Sequence, residues 1–322
     1  MNRYRLVHAT EFLYDGAVSE SYNEVRLRPI DDDRQSCLSF RLVTSPPSRG
    51  ASFRDAYGNW IHQFNILPDH RRLKIEAESV VLAHDTPASP PVGTTLAELD
   101  EQRSELFEEH YDFVAPSGFV PYLYELKKIL NAAEADSDGT VLGFTQAAST
   151  YIHENFKYVK GATHVHSSVE DSLSIKAGVC QDFAHLLLGI VRLRGLPARY
   201  VSGYLVPGDA SGTDSKQEEV SGGQASHAWA EVFVPGSGWS AFDPTLGKPV
   251  GIRHIRVAYG RDYGDVPPVR GVYKGRAGQH LSVDVCVRPA LDEEGRERLT
   301  ETSEGPHEAP QMAELPQQHS QQ

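Results

Sequence analysis

The sequence predicts an α+β protein in two parts: an antiparallel β-sandwich at the amino end, then a core in which a helix precedes an antiparallel sheet. Three observations predict it. Apolar and polar residues alternate with period two in short segments between residues 3 and 85, and apolar residues recur at helical spacing between residues 96 and 194. Beyond Pro197, extended segments rich in aromatic and β-branched residues return.

Taken in order, residues 4–8, 24–28, 37–43, 60–64 and 73–80 carry the alternation, broken by Pro46-Pro47 and Gly58-Asn59. Such breaks suit strands with one face in and one face out, hence the sandwich. Residues 84–95 hold Pro87, Pro90, Pro91 and Gly93, a composition break that suits a linker. The expected division is therefore a β-rich domain at 1–85, a linker at 86–95, a core with its carboxy-terminal extension at 96–290, and a tail at 291–322.

Residues 96–111, 121–135 and 140–156 predict three helices, the second with Leu123, Leu126 and Leu130 on one face and Pro121 as a first-turn residue. Residues 180–194 predict a fourth through Phe183, Leu186, Leu187, Ile190 and Val191, stopped by Gly195 and Pro197. Strands are expected at 198–205, 227–234 and 238–243. The stretch 207–225 holds Gly, Ser, Asp and Glu with almost no large apolar residue, which predicts a mobile loop. The tail has too few hydrophobic side chains for their burial to offset ordering entropy, so it is expected to be disordered.

Composition narrows the partners. With 322 residues, 39% of them hydrophobic, the chain can build a substantial core, and its net charge of −13 opposes nucleic acid and anionic membrane surfaces. Cys37, Cys180 and Cys286 are too few and too dispersed for a disulfide framework or a structural zinc site, and no apolar run suits a signal peptide or a spanning helix. A cytoplasmic protein is expected, with no cofactor and no membrane or nucleic-acid partner; no pattern speaks to oligomeric state.

The chemistry concentrates at Cys180, at the start of the fourth helix. Unpaired amides and the helix dipole there favour a thiolate, the form in which cysteine attacks a carbonyl, and a neighbouring imidazolium adds to this. On the strand at 227–234, His227, Trp229 and Glu231 share one face. Asp243 ends the next strand, where Pro244 keeps it extended, so hairpin pairing can bring its carboxylate beside His227. Cys180 as nucleophile, His227 as acid and base, and Asp243 as its orienting partner make a thiol acyl-transfer site.

Four motifs then carry a resemblance: Gly178-Val179-Cys180-Gln181-Asp182-Phe183-Ala184-His185, Arg199-Tyr200-Val201-Ser202-Gly203-Tyr204, Ser226-His227-Ala228-Trp229 and Phe242-Asp243-Pro244-Thr245. Together they resemble the core of the bacterial transglutaminase-like superfamily, which implies a papain-like, transglutaminase-like core and assigns the same three roles to Cys180, His227 and Asp243. His8-Ala9-Thr10, Arg26-Leu27-Arg28-Pro29 and Asp55-Ala56-Tyr57-Gly58-Asn59 resemble the β-rich domain fused to such cores in bacteria. The triad does not choose the acyl acceptor; with no evident calcium switch or secretion signal to suggest extracellular crosslinking, the expected function is hydrolysis of carboxamide or peptide bonds in a peptide or protein substrate through a thioester. The alternatives are amine transfer to protein glutamine and a non-enzymatic binding or assembly module.

Lesser candidates surround this site. Gln181 and Tyr158 are possible oxyanion donors, Trp229 a substrate wall with Trp239 a weaker one, and Arg261 part of a polar cluster with Asp262, Tyr263 and Asp265 that either lines the cleft or forms an ion-paired turn. His185 is rotated away from Cys180 on the same helix, and Asp182 suits the first helical turn. His164 and His166 make half a metal site without a third ligand. Asp136-Ser137-Asp138-Gly139 resembles the start of a calcium loop, but Ala147 stands where a bidentate Glu is needed, so a helix cap is expected.

Overall fold

The structure, a computed structural model, describes residues 2–84, 93–207 and 225–290. Residues 86–92 of the expected linker, 208–224 of the expected loop and all of the tail at 291–322 lie outside the described residues.

The amino-terminal part is one antiparallel sheet built around a long strand β1 (Asn2–Val25), with β2 (Gln35–Ser45), β3 (Gly50–Arg54), β4 (Trp60–Ile66) and β5 (His70–Ala83) in the order β2-β5-β1-β4-β3. The early half of β1 pairs with β5 and the late half with β4, with a register break between Leu13 and Val18. There the sheet turns over on itself and encloses Tyr14, Val18, Val25, Leu27, Phe64, Ile66, Leu73 and Ile75. The two layers expected of a sandwich are thus halves of one curled sheet. The separate strands expected at 4–8 and 24–28 are both within β1 except for 26–28, because the turn-like residues Asp15-Gly16 and Ser19-Glu20-Ser21 lie inside a strand that bends rather than ends. Strand β3 has every residue exposed, so alternation gave no sign of it.

In the core, the single helix expected at 96–111 is three short ones, α1 (Leu96–Glu101), α2 (Arg103–Glu109) and α3 (Tyr111–Val114). Only Leu99 and Leu106 are buried among them, too narrow an apolar stripe to hold one long helix against the core. Pro121 is not a first-turn residue: a 3-10 turn at Tyr124–Leu126 leads into α4 (Lys127–Ala135). Helix α5 (Val141–Asn155) starts on Thr140, whose hydroxyl accepts from the Gly143 amide while Asp138 accepts from Thr140, the cap expected of that segment. Two short strands, β6 (Lys157–Tyr158) and β7 (Ala177–Gly178), pair in parallel around α6 (Val169–Ile175) and deliver the chain to α7 (Cys180–Arg194).

Helix α7 begins and ends where the apolar pattern and Gly195 predict, Gly195 being left-handed at φ 97°. It is buried from Asp182 through Arg192, and its apolar residues join those of α4, α5 and the sheet behind it. Each such side chain contributes about 1.5–3 kcal/mol. That sheet has the order β11-β10-β9-β8-β12, from β8 (Ala198–Leu205), β9 (Ser226–Val234), β10 (Gly238–Asp243), β11 (Lys248–Pro249) and β12 (His254–Gly260). The chain then returns: β13 (Val269–Lys274) and β14 (Gln279–Pro289), which the sequence reading groups with the core, pair with β1 in the amino-terminal sheet. None of the described helices is long and apolar enough to cross a membrane.

Candidate active site

Cys180 is the first residue of α7, half-buried, with its preceding turn held from two sides. Asp182 reaches back so that its Oδ2 accepts from the Val179 amide at 2.8 Å and from the Thr163 hydroxyl at 2.6 Å. Asp182 therefore caps the helix, as its position in the first turn predicts. Gly178 makes this possible: a Cβ there would meet the Asp182 side chain at 2.7 Å. On the other side, the Val159 amide donates to the Gly178 carbonyl at 2.9 Å, fixing β6 beside the thiol.

His227 lies at the start of β9 and Asp243 at the end of β10, and the hairpin brings them together: His227 Nε2 donates to Asp243 Oδ2 at 2.7 Å. With Nε2 committed, Nδ1 is the ring nitrogen left for Cys180, which lies near enough to add to the rise in the His227 pKa. Burial lowers the His227 pKa, but the charge and hydrogen bond of Asp243, helped by Cys180, outweigh it and push the value up to about 10. Asp243 is 0% exposed and its carboxyl is held far below the usual carboxylate range: burial raises it, and the two histidines that bond it lower it more. The second of these is His254.

Asp243 is held by more than the expected partner. Its Oδ1 accepts from the Thr245 and Leu246 amides at 2.9 and 3.2 Å, and His254 Nε2 donates to Oδ2 at 3.0 Å. The turn itself is tied to α5, where His153 Nδ1 donates to the Thr245 carbonyl and Gln146 to the Gly247 carbonyl. Sequence reasoning missed His254 because it opens β12, two strands from His227 in the sheet, and only the β8–β9 and β8–β12 registers bring the two near. Gly203 sits between them on β8, where a Cβ would strike the Ile255 carbonyl at 2.2 Å and the Trp229 ring at 2.6 Å.

His227, Asp243 and His254 each offer one metal-ligating atom within 4.8 Å of one another. The surroundings oppose a metal. The Gly251 amide donates to His254 Nδ1, so that nitrogen is an acceptor and Nε2 must carry the proton, whereas a ligating histidine usually donates from its other nitrogen. The set fits hydrogen bonding better than coordination.

The lesser candidates separate. Tyr158 stands in β6 opposite Gly178, and burial followed by the charges of Cys180, Asp182 and Asp243 pushes its phenol pKa far up, so it keeps its proton beside the thiol. Tyr200, unforeseen, behaves likewise through burial and Cys180. Gln181 instead donates to the Val165 carbonyl at 3.2 Å. Trp229 is 0% exposed and packs edge-on against His254 with ring centroids 5.2 Å apart, so it is floor beneath the site and has no face for a substrate. Trp239 packs on Phe233 and stacks on Arg199, and Arg261 pairs with Asp265 at 2.9 Å while Asp262 accepts from the Phe119 and Gly264 amides: an ion-paired turn. His185 is buried and accepts from the Tyr263 amide, its pKa pushed down to about 3 by burial. His164 and His166 have ring centroids 6.4 Å apart, and no third ligand joins them among the described residues.

The family model for the bacterial transglutaminase-like N-terminal region matches residues 4–82, and that for the transglutaminase-like superfamily matches residues 130–244, a span that includes Cys180, His227 and Asp243. An uncharacterized protein of Mycobacterium leprae is 32% identical over 290 residues, covering 89% of this chain and 99% of its own length. The chain belongs to the transglutaminase-like superfamily. A second relative of this transglutaminase-like protein, from Mycobacterium tuberculosis strain H37Rv, is also uncharacterized and is 34% identical over 313 residues, covering 89% and 93% of the two chains. Among solved structures, a candidate cysteine protease from Cytophaga hutchinsonii shares the fold with a TM-score of 0.65 at 20% identity, covering 91% of this chain and 95% of its own. Family and fold together support a cysteine-dependent enzyme in general terms.

Proposed function

We propose that the protein is a transglutaminase-like cysteine peptidase or amidase, acting on carboxamide or peptide bonds of a peptide or protein substrate through a thioester. One observation carries this reading: His227 lies between a half-buried thiol at a helix start and a carboxylate fully removed from water. In the reaction, Cys180 sulfur bonds to the carbonyl carbon and the carbonyl oxygen becomes an oxyanion, facing the Cys180 amide and the Tyr158 hydroxyl. As the C–N bond breaks, imidazolium His227 gives its proton to the departing amine. Water, deprotonated by His227, then attacks the thioester, the acid leaves, and the sulfur is freed. Asp243 holds the ring and balances its charge throughout.

Cys180 is only partly buried, so substrate and water can both reach it, and hydrolysis is the reading adopted because water is the acceptor always at hand. The family acts on protein or peptide substrates, which supports that substrate class. The three cysteines are free thiols, in keeping with action in a reducing compartment, the cytoplasm. The test is mass spectrometry of a glutamine-containing peptide library incubated with the full chain, with and without a primary amine. Conversion of amide to acid or cleavage of the peptide is expected; amine incorporation in preference to either would replace hydrolysis with transfer. No product of any kind, or the same products from Cys180→Ala, would leave the binding-module alternative.

A further inference from the structure

Among the described residues Asp243 has four hydrogen-bond donors, and two of them are histidines that share Oδ2. The backbone amides of Thr245 and Leu246 hold Oδ1 from the turn itself, which fixes one edge of the carboxylate. Among the described residues Oδ2 is held by side chains, His227 at 2.7 Å and His254 at 3.0 Å, so the plane of the carboxylate is set by where these rings stand. His227 cannot set it alone, because that ring must also serve Cys180 and change its proton during the reaction. His254 has no such duty. Its Nδ1 accepts from the Gly251 amide at 3.3 Å, its side chain is 6% exposed, and the buried Trp229 ring lies edge-on against it. Its ring is therefore a fixed neutral donor, whichever proton state His227 is in.

We propose that His254 is a positioning residue, which by donating to the shared Oδ2 holds the Asp243 carboxylate in the plane that His227 needs. The inference rests on the acyl-transfer reading and deepens it. Its chemical content is a division of labour: one histidine exchanges protons while the other pins the carboxylate both depend on. Burial keeps the His254 pKa below the ordinary imidazole value, although Asp243 pulls it the other way, and the nearby His227 charge adds to the lowering. The titratable groups facing this cluster are Cys180 from α7, Tyr158 from β6, His227 from β9 and Asp243 from β10.

The test uses the full chain and two substitutions. His254→Gln retains a donor and an acceptor at similar reach, and His254→Leu removes both while filling the space. The first readout is the rate at which iodoacetamide alkylates Cys180 across pH, followed by mass spectrometry of the peptide that carries it, since Cys37 and Cys286 are also free; the second is kcat and KM on a peptide found to be a substrate. His254→Leu is expected to alter the pH profile of alkylation and to lower kcat by about ten- to a hundredfold with KM unchanged, the scale of one charge-assisted hydrogen bond. His254→Gln is expected to recover most of this. On the unmodified protein, long-range proton–nitrogen NMR should find one imidazole that stays neutral and protonated on Nε2 through neutral pH, which keeps the inference testable should the Leu variant not fold.

A wild-type pH profile and kcat in His254→Leu, with only a lower melting temperature, would overturn the proposal, as would equal losses in the Gln and Leu variants or a His254 proton on Nδ1. A separate control isolates the underlying reading. If His227→Ala alkylates as the unmodified protein does, His227 does not activate the thiol, and the role of His254 falls with the acyl-transfer reading rather than on its own account.

Discussion

The amino-terminal sheet and the core sheet treat charge in opposite ways. On the first, Arg5 and Arg41 reach Glu78, and Lys74 reaches Glu76, from exposed faces where water screens them. In the core, Glu231 is 1% exposed between Arg199 and Arg256, and Asp243 is sealed between two histidines. An exposed pair is worth about 0–1 kcal/mol, while stripping one partner from a buried pair costs about 3–5 kcal/mol. The difference teaches that buried charge here is a means of placing atoms: the core gives up hydration of its carboxylates and gains fixed geometry at the candidate site, which the amino-terminal sheet does without.

The largest effect should come from a residue that does almost nothing for stability. Cys180→Ala is expected to lower turnover by roughly 10⁴-fold or more, while the melting temperature hardly moves, since the residue is only partly buried at a helix start. Thermal unfolding beside a turnover assay checks both halves, and a strongly destabilised Cys180→Ala would erase the distinction between reactive and structural groups. Next comes Asp243→Ala, which leaves His227, His254 and two buried amides without their acceptor. Chemical denaturation should show a loss of about 3–5 kcal/mol, and a loss under about 1 kcal/mol would place this carboxylate with the surface ones.

The dependence on pH sharpens the contrast. His227 has its pKa raised from an ordinary 6.5 to about 10, so the folded state holds a proton that the unfolded state releases. Its contribution to stability is complete below about pH 6.5 and should be lost progressively as pH rises through about 10. Asp243, shifted the other way, keeps its contribution down to strongly acidic pH. Denaturation midpoints between pH 6 and 10 should therefore fall in the unmodified protein and fall less in His227→Ala; parallel curves would remove His227 as the cause. The smallest effect belongs to Arg41→Ala, expected within about 1 kcal/mol of the unmodified protein and insensitive to activity.

How far the sequence could be read follows the same division. Helix α7 and strands β8 and β10 stand on their predicted residues because their signals are local: a helical stripe closed by Gly195, and short apolar runs bounded by turns. Cys180, His227 and Asp243 were legible for the same reason, lying at ends of those elements. His254 was not, since its partners are set by strand register across β8 and no nearby residue announces it. Trp229 looked like a wall because it shares a face with His227, but its ring is fully buried with the His254 ring packed edge-on against it. In the amino-terminal sheet, alternation located β4 and β5, yet the bend inside β1 read as a break between strands, and the pairing of 269–289 with β1 has no local signature at all.

That last pairing has a consequence for synthesis. Tyr4 and Val25 are made long before their neighbours at Pro289 and Val269, so both halves of β1 wait with one edge unpaired while the intervening chain is synthesised. Meanwhile α7 and the β8–β9–β10 meander close through nearer contacts and can fold first. The scaffold sheet is begun before the core and finished after it, and the period between is when its open edges can recruit another nascent chain instead of their own.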